Sequence, residues 1–192
     1  MISQMVELSD AELVRATLAD ANAYGWLISR HEAKLRRYVR RILAGRAHAT
    51  DDVLQDVFIK AYLNLNDFDQ SRAFAPWLYR IAHNESVSML RKSSAGIQLV
   101  SGEDAQFFLE HVADPDDPAS LYWKNRSFEQ LQKSLAALDA KYRDVLVLRY
   151  LEGQSYDNIS EILRLPPGTV ATLLKRGLTR LREIFETAGG AA

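Results

Sequence analysis

The stretch TVATLLKRGLTR, Thr169 to Arg180, sets polar and basic residues at helical spacing. Turning about 100° per residue puts Thr169, Thr172, Lys175, Arg176, Thr179 and Arg180 on one face. Val170, Leu173, Leu174, Gly177, Leu178, Leu181, Ile184 and Phe185 fall on the other. Threonine, lysine and arginine can reach base edges and phosphates, so the polar face suits the major groove of duplex DNA. A plain amphipathic helix with a solvated polar face has the same pattern. Just upstream, Ser155 is a candidate cap for YDNISEIL, and RLPPG breaks the chain before Pro167. Two short helices at a tight corner outline a helix-turn-helix.

A second cluster lies in DFDQSRAFAPWLYRIAHN. Phe68, Phe74, Trp77 and Tyr79 stand among Arg72, Arg80, His83 and Asn84. Aromatic rings interleaved with basic and amide groups can stack on and hydrogen-bond unpaired bases. Alternatively Trp77, Leu78 and Ile81 are simply core of a helical bundle, and for Trp77 core is the simpler reading. Spacing alone does not decide between the two for Phe68 or Asn84.

Catalysis finds no comparable set. His31, His48, His83 and His111 are scattered, with no pair at metal-ligand spacing. There is no phosphate-cradling glycine loop and no nucleophile elbow. Asp51, Asp52 and Asp56 are close together, but acids early in a helix ordinarily serve its dipole. The expectation is a chain that is not an enzyme, with no catalytic residue, no metal site and no cofactor.

These residues need a scaffold, and the composition provides one. Of 192 residues, 47% are apolar, enough to pack a core. There are no cysteines, which removes disulfides and thiolate metal sites. The opening MISQMVELSD lacks the basic and apolar regions of a signal peptide, and no run approaches the ~20 apolar residues of a membrane helix. A soluble, cytoplasmic protein without membrane insertion is expected. The net charge of −1 looks wrong for a nucleic-acid binder, but it is unevenly spread. Residues 101–125 hold six Asp/Glu against one Lys/Arg, while both flanks carry a small basic excess. A local basic surface can bind phosphate at zero total charge.

The pattern is helical on both sides of that acidic stretch. In the first block, 9–93, Ser9 and Glu12 form a capping-box pattern. Trp26, Leu27, Leu35, Tyr38, Val39, Ile42 and Leu43 make one stripe, opposite Lys34, Arg36, Arg37, Arg40 and Arg41. Thr50 is a candidate N-cap for the helix over DDVLQDVFIKAYL, and Pro76 suits the first turn of the next. In the second block, 126–186, FEQLQKSLAAL precedes a helix that Gly153 stops, and the last helix begins at Pro167. Residues 94–125 read as a linker, within which AQFFLEHV could form a short helix. No alternating β-branched run argues for a sheet. The fold class is all-α: two small helical domains on a flexible linker.

DDVLQDVFIKAYLNLNDFDQSRAFAPWLYRIAHNESVSMLRK resembles the second region of extracytoplasmic-function (ECF) sigma factors, within the sigma-70 family. LAALDAKYRDVLVLRYLEGQSYDNISEILRLPPGTVATLLKRGLTRLRE resembles their fourth region. The resemblance implies a protein that binds core RNA polymerase, directs it to promoter DNA and helps to open the duplex. It implies core-polymerase contacts at Asp52, Gln55, Asp56 and Phe58. It implies a −10 single-strand site with a flipped-base pocket at Phe68, Ile81 and Asn84. Lys60 lies nearby in that site, with the loop Asp69 to Phe74, which includes Arg72, and with Arg80, Arg91 and Lys92 on phosphates. It implies −35 duplex reading by Thr169, Thr172, Lys175, Arg176, Thr179 and Arg180. It also implies an anti-sigma partner, and a linker that threads near the polymerase active-site and RNA-exit channels.

The chain departs from the family pattern in the last helix. Ala171, Leu173 and Leu178 stand where basic residues are usual, Gly177 replaces a common alanine, and Arg164 replaces a helix-ending glycine. These changes keep an alternative open: a sigma-like decoy that binds an anti-sigma protein without initiating transcription.

Overall fold

A computed structural model of the chain describes residues 7–43, 47–92, 133–135 and 137–189. Among these there is no strand, and the helices fall into two compact units, residues 1–95 and 96–192. The all-α expectation holds in each unit. The linker 94–125, its short AQFFLEHV helix and the start of FEQLQKSLAAL lie outside the described residues.

The first unit is built from α1 (Asp10–Ala19), α2 (Tyr24–Ile42), α3 (Ala47–Leu63) and α4 (Phe74–Lys92). Helix α1 starts where the capping box predicts. Glu12 Oε2 accepts from the Ser9 amide at 2.7 Å, and Ser9 Oγ accepts from the Glu12 amide at 3.3 Å. Asp10 then ties α1 to α2, with Arg30 Nη1 at 3.1 Å and His31 Nε2 at 3.0 Å. His31, with Arg30 beside it, holds the Asp10 carboxyl below its ordinary range. The α2 stripe is buried at Leu27, Leu35, Tyr38, Val39, Ile42 and Leu43, where it meets Val53, Leu54, Val57 and Ala61 of α3. Tyrosine hydroxyls fix the registers: Tyr24 donates to the Phe58 carbonyl at 2.7 Å, and Tyr38 Oη lies 3.0 Å from His83 Nδ1 of α4.

Two expectations fail here. Thr50 does not cap α3: the helix begins at Ala47, and Thr50 is buried inside it. It sits one turn ahead of Val53 and Leu54, on the inward stripe, so packing decides its place. Arg41 is not on the solvent face but buried. It follows Tyr38 by one turn and flanks Ile42, so its aliphatic stem is drawn against the core margin.

The second unit holds α5 (Ala140–Leu146), which widens into a π-helical turn over Val147–Leu151, then α6 (Tyr156–Leu163) and α7 (Pro167–Gly189). The wide turn ends at Gly153, whose φ of +64° is the left-handed conformation expected of a helix stop. Ser155 caps α6 through its side chain, which accepts from the Asn158 amide at 3.1 Å. α6 closes with Leu165 N–H on the Ser160 carbonyl at 3.1 Å and Arg164 at φ +53°. Helix α7 packs on both α5 and α6. Val170, Leu174, Gly177, Leu181 and Phe185 are buried, and Leu173, Leu178 and Ile184 are half-buried. A Cβ on Gly177 would stand 3.4 Å from Tyr142 Cβ and from Leu146 Cγ, in ordinary contact.

Two predictions come from this scaffold. Arg164 holds a backbone conformation that costs a non-glycine residue roughly 1–2 kcal/mol. Arg164→Gly is therefore expected to stabilise the second unit by about 0.5–1 kcal/mol after the added unfolded-chain entropy. Thermal unfolding of the full chain checks this, and an unchanged or lower midpoint counts against it. In the first unit, burial pushes the His83 pKa down to about 4. The unfolded chain takes up this proton near its ordinary 6.5, so stability is expected to fall as pH drops from about 6.5 towards 4. His83→Gln should flatten that slope in urea titrations run at several pH values.

Candidate nucleic-acid interface

Burial of Val53, Leu54, Val57 and Ala61 turns the opposite side of α3 outward. Asp52, Gln55 and Asp56 are exposed there, and Phe58 is half-buried. Asp51 belongs elsewhere, because it pairs with Arg36 of α2. The outward face is not wholly polar. Ile59, Tyr62 and Leu63 are exposed, Leu63 at 69%. With Gln55, Phe58, Tyr24, Ile28 and Ala21 they line an apolar groove of about 560 Å³. The sequence reading misses this groove. Its signal is a second apolar set at i, i+3 and i+4 from Ile59, off the stripe that α3 buries.

Helix α4 divides in the same way. Its buried side carries Phe74, Trp77, Leu78, Tyr79, Ala82 and Ser86. Arg80 and Ile81 are half-buried, Asn84 is exposed, and Arg91 and Lys92 are exposed in the last turn. Arg80, Ile81, Asn84 and Arg91 fall on one side of the helix. The preceding loop is organised by Asp69, whose carboxylate accepts from the Ser71 amide at 3.0 Å and the Ser71 hydroxyl at 2.7 Å. These bonds hold the Asp69 carboxyl below its ordinary range.

Two of the candidate cations near α4 have acidic neighbours. Lys60 Nζ lies 2.6 Å from Glu85 Oε2, and Arg72 Nε lies 3.8 Å from Asp69 Oδ2. Phe68 is only 6% exposed. Its ring meets Phe74 edge-on at 5.6 Å and Trp77 at 5.0 Å. Trp77 is core, as the simpler reading has it. Phe68 is the third ring of this cluster, so its faces are occupied by protein.

On α7 the six candidate residues are exposed together. Thr172, Lys175, Arg176, Thr179 and Arg180 line an open cleft of about 520 Å³, completed by Tyr142 of α5 and by Glu183. Thr169 stands one turn before Thr172 and outside the cleft. Arg180 Nη1 pairs with Glu183 Oε2 at 2.7 Å. Lys175 and Arg176 have no ion-pair partner among the described residues. The hydroxyls of Thr172 and Thr179 donate back to the carbonyls of Gly168 and Lys175, at 2.8 and 3.1 Å. Outward, those threonines offer a methyl group and an oxygen lone pair.

The aromatic cluster makes a prediction that separates packing from recognition. Removing the Phe68 ring opens a cavity, so Phe68→Ala is expected to cost about 3–4 kcal/mol of first-unit stability with no DNA present. Urea unfolding measures it. A cost below about 1 kcal/mol would mean the ring is not part of the core.

The chain matches two family models in order. Sigma-70 region 2 covers residues 27–95, and Sigma-70, region 4, covers residues 128–181. It is 34% identical over 168 residues to the ECF RNA polymerase sigma factor SigW of Bacillus subtilis, across 85% of this chain and 89% of that one. It is 32% identical over 189 residues to the ECF RNA polymerase sigma-E factor of Haemophilus influenzae, across 94% and 95%. Among solved structures it is similar to CnrH, determined in complex with the cytosolic domain of CnrY. The TM-score is 0.67 at 25% identity, over 93% of this chain and 97% of that one. The fold also matches the sigma factor RpoE of Bartonella quintana, with a TM-score of 0.59 at 22% identity over 85% and 96%. With both regions matched in one chain and in sigma order, the chain belongs to the ECF sigma factors of the sigma-70 family, proteins of promoter-specific transcription.

Proposed function

We propose that this chain binds core RNA polymerase through α3, reads a −10 single strand with α4 and its preceding loop, and reads a −35 duplex with α7. The observation that carries the proposal is the division of these helices. Each buries one stripe and leaves outward a set of side chains suited to its partner.

For the polymerase, the outward set is Asp52, Gln55, Asp56 and Phe58, bordered by the apolar groove at Ile59, Tyr62 and Leu63. A polar rim around an apolar centre is the usual anatomy of a protein interface. The same surface suits an anti-sigma protein, which would then compete with polymerase. CnrH, to which the chain is similar, was solved with a protein partner, the cytosolic domain of CnrY, and this supports a protein partner here.

For the −10 strand, Ile81 and Asn84 supply an apolar wall and an amide beside the Asp69-organised loop. Arg80, Arg91, Lys92 and Arg72 are within the same unit for phosphates. Phe68 would support this site through Phe74 and Trp77, because its ring is already packed against them. Lys60 must exchange Glu85 for a phosphate to contribute.

For the −35 duplex, Lys175 and Arg176 are the cations ready to bind, and Thr169 stands at the start of α7. Thr172 and Thr179 have used their protons within the helix. Towards bases they can only accept, from adenine or cytosine amino groups, or touch a thymine methyl. Arg180 carries Glu183 with it, and this favours a modest −35 affinity with the polymerase supplying the remainder.

Transcription from fragmented genomic DNA, with core polymerase and with or without the purified chain, tests the proposal. New starts that share −10 and −35 motifs are expected. No new starts, with retained binding to core polymerase or to an anti-sigma protein, would instead establish the decoy. Within the −35 site, Arg176→Ala is expected to weaken duplex binding about tenfold. It should also reduce the slope of log affinity against log salt by about one.

A further inference from the structure

We infer that Tyr142, which lies outside the helix-turn-helix, is a DNA-positioning residue whose phenol donates to a backbone phosphate beside the −35 groove. This rests on the reading that α7 meets duplex DNA.

Tyr142 belongs to α5, yet its side chain lines the α7 cleft with Thr172, Lys175, Arg176, Thr179 and Arg180. It is held there from below. Its Cβ lies 3.4 Å from where a Cβ on Gly177 would stand, so the two helices approach closely at that point. It is steadied from the side as well, with Lys141 Nζ 4.9 Å from its ring centroid. The side chain is half-buried, and among the described residues its hydroxyl has no hydrogen-bond partner. Tyr24 and Tyr38, by contrast, spend their hydroxyls on Phe58 and His83.

Position decides what such a hydroxyl can meet. The major groove is about 12 Å wide, so a helix at its centre has a phosphate backbone on each side. Packed helix axes lie about 8–10 Å apart, so a residue on the neighbouring helix stands over a backbone and not over the bases. A phenol O–H is a donor suited to a phosphate oxygen, and the contact carries no sequence information. It also carries no charge, which separates it from Lys175 and Arg176. On this helix, with basic positions lost at Ala171, Leu173 and Leu178, a neutral donor adds affinity without adding salt dependence.

The test uses the full chain and two short fluorescent duplexes, one with the −35 element mapped by transcription and one scrambled. Affinity is measured by anisotropy across a salt series for the wild-type chain, Tyr142→Phe and Arg176→Ala. Tyr142→Phe keeps the ring and its packing, so an unchanged melting temperature is expected. It should weaken both duplexes by a similar factor, about three- to tenfold, with the salt slope unchanged. If Arg176→Ala weakens binding and Tyr142→Phe does not, Tyr142 has no role and the −35 reading stands. If Tyr142→Phe weakens only the mapped element, the contact is to a base and the phosphate assignment fails. If neither variant changes binding, the −35 reading of α7 fails and this inference fails with it.

Discussion

Helix α7 buries Val170, Leu174, Leu181 and Phe185 against its neighbours, and that burial positions everything on its other side. Each of these apolar side chains contributes roughly 1.5–3 kcal/mol when fully buried, against a few tenths for a surface ion pair. The rotation of the helix is therefore fixed by packing and not by its charges. Gly177 sets how closely α5 approaches along the same seam. The polar face inherits its geometry from these contacts: a change at Leu174 would move Lys175 and Arg176 without touching either. The same logic governs α3, where the Val53, Leu54, Val57 and Ala61 stripe decides what faces outward.

Much of this was legible because the signals are local. Ser9 with Glu12, Ser155 before α6, Gly153 after the helix before it and Pro167 at the start of α7 each act within one turn. Their caps and stops appear where the residue chemistry puts them. Arg164 was legible as an oddity, and its left-handed backbone shows that the corner keeps its geometry without the glycine that usually permits it. The misses share a different cause, which is that they depend on neighbours distant in sequence. Thr50 has the chemistry of a cap but lies on the inward stripe of α3. Arg41 sits on the margin of a stripe, where the neighbouring helices decide its burial. Ile59, Tyr62 and Leu63 look like ordinary core until the core is seen to be full without them. Tyr142 reaches the α7 cleft only because α5 crosses at Gly177.

The electrostatics of the candidate DNA surfaces also depend on tertiary structure. Composition counts cations but does not show which are already engaged. Lys60 with Glu85, Arg72 with Asp69 and Arg180 with Glu183 form a recurring arrangement, in which a candidate phosphate ligand sits beside a carboxylate of its own chain. These pairs are solvent-exposed or partly so, and contribute little to stability. Their effect is on exchange: a phosphate that binds such a cation must first displace its acid.

That arrangement matters at the scale of a genome. A chain that meets DNA faces on the order of 10⁶–10⁹ competing duplex sites, and its hold on them is set mainly by how many counterions its cations release. Cations already neutralised by a tethered acid release fewer. A protein of this kind is expected to be held less by bulk chromosome than one whose cations are all unpaired. Its free pool is preserved for whatever assembly can supply enough additional contact to outweigh the tethered acids.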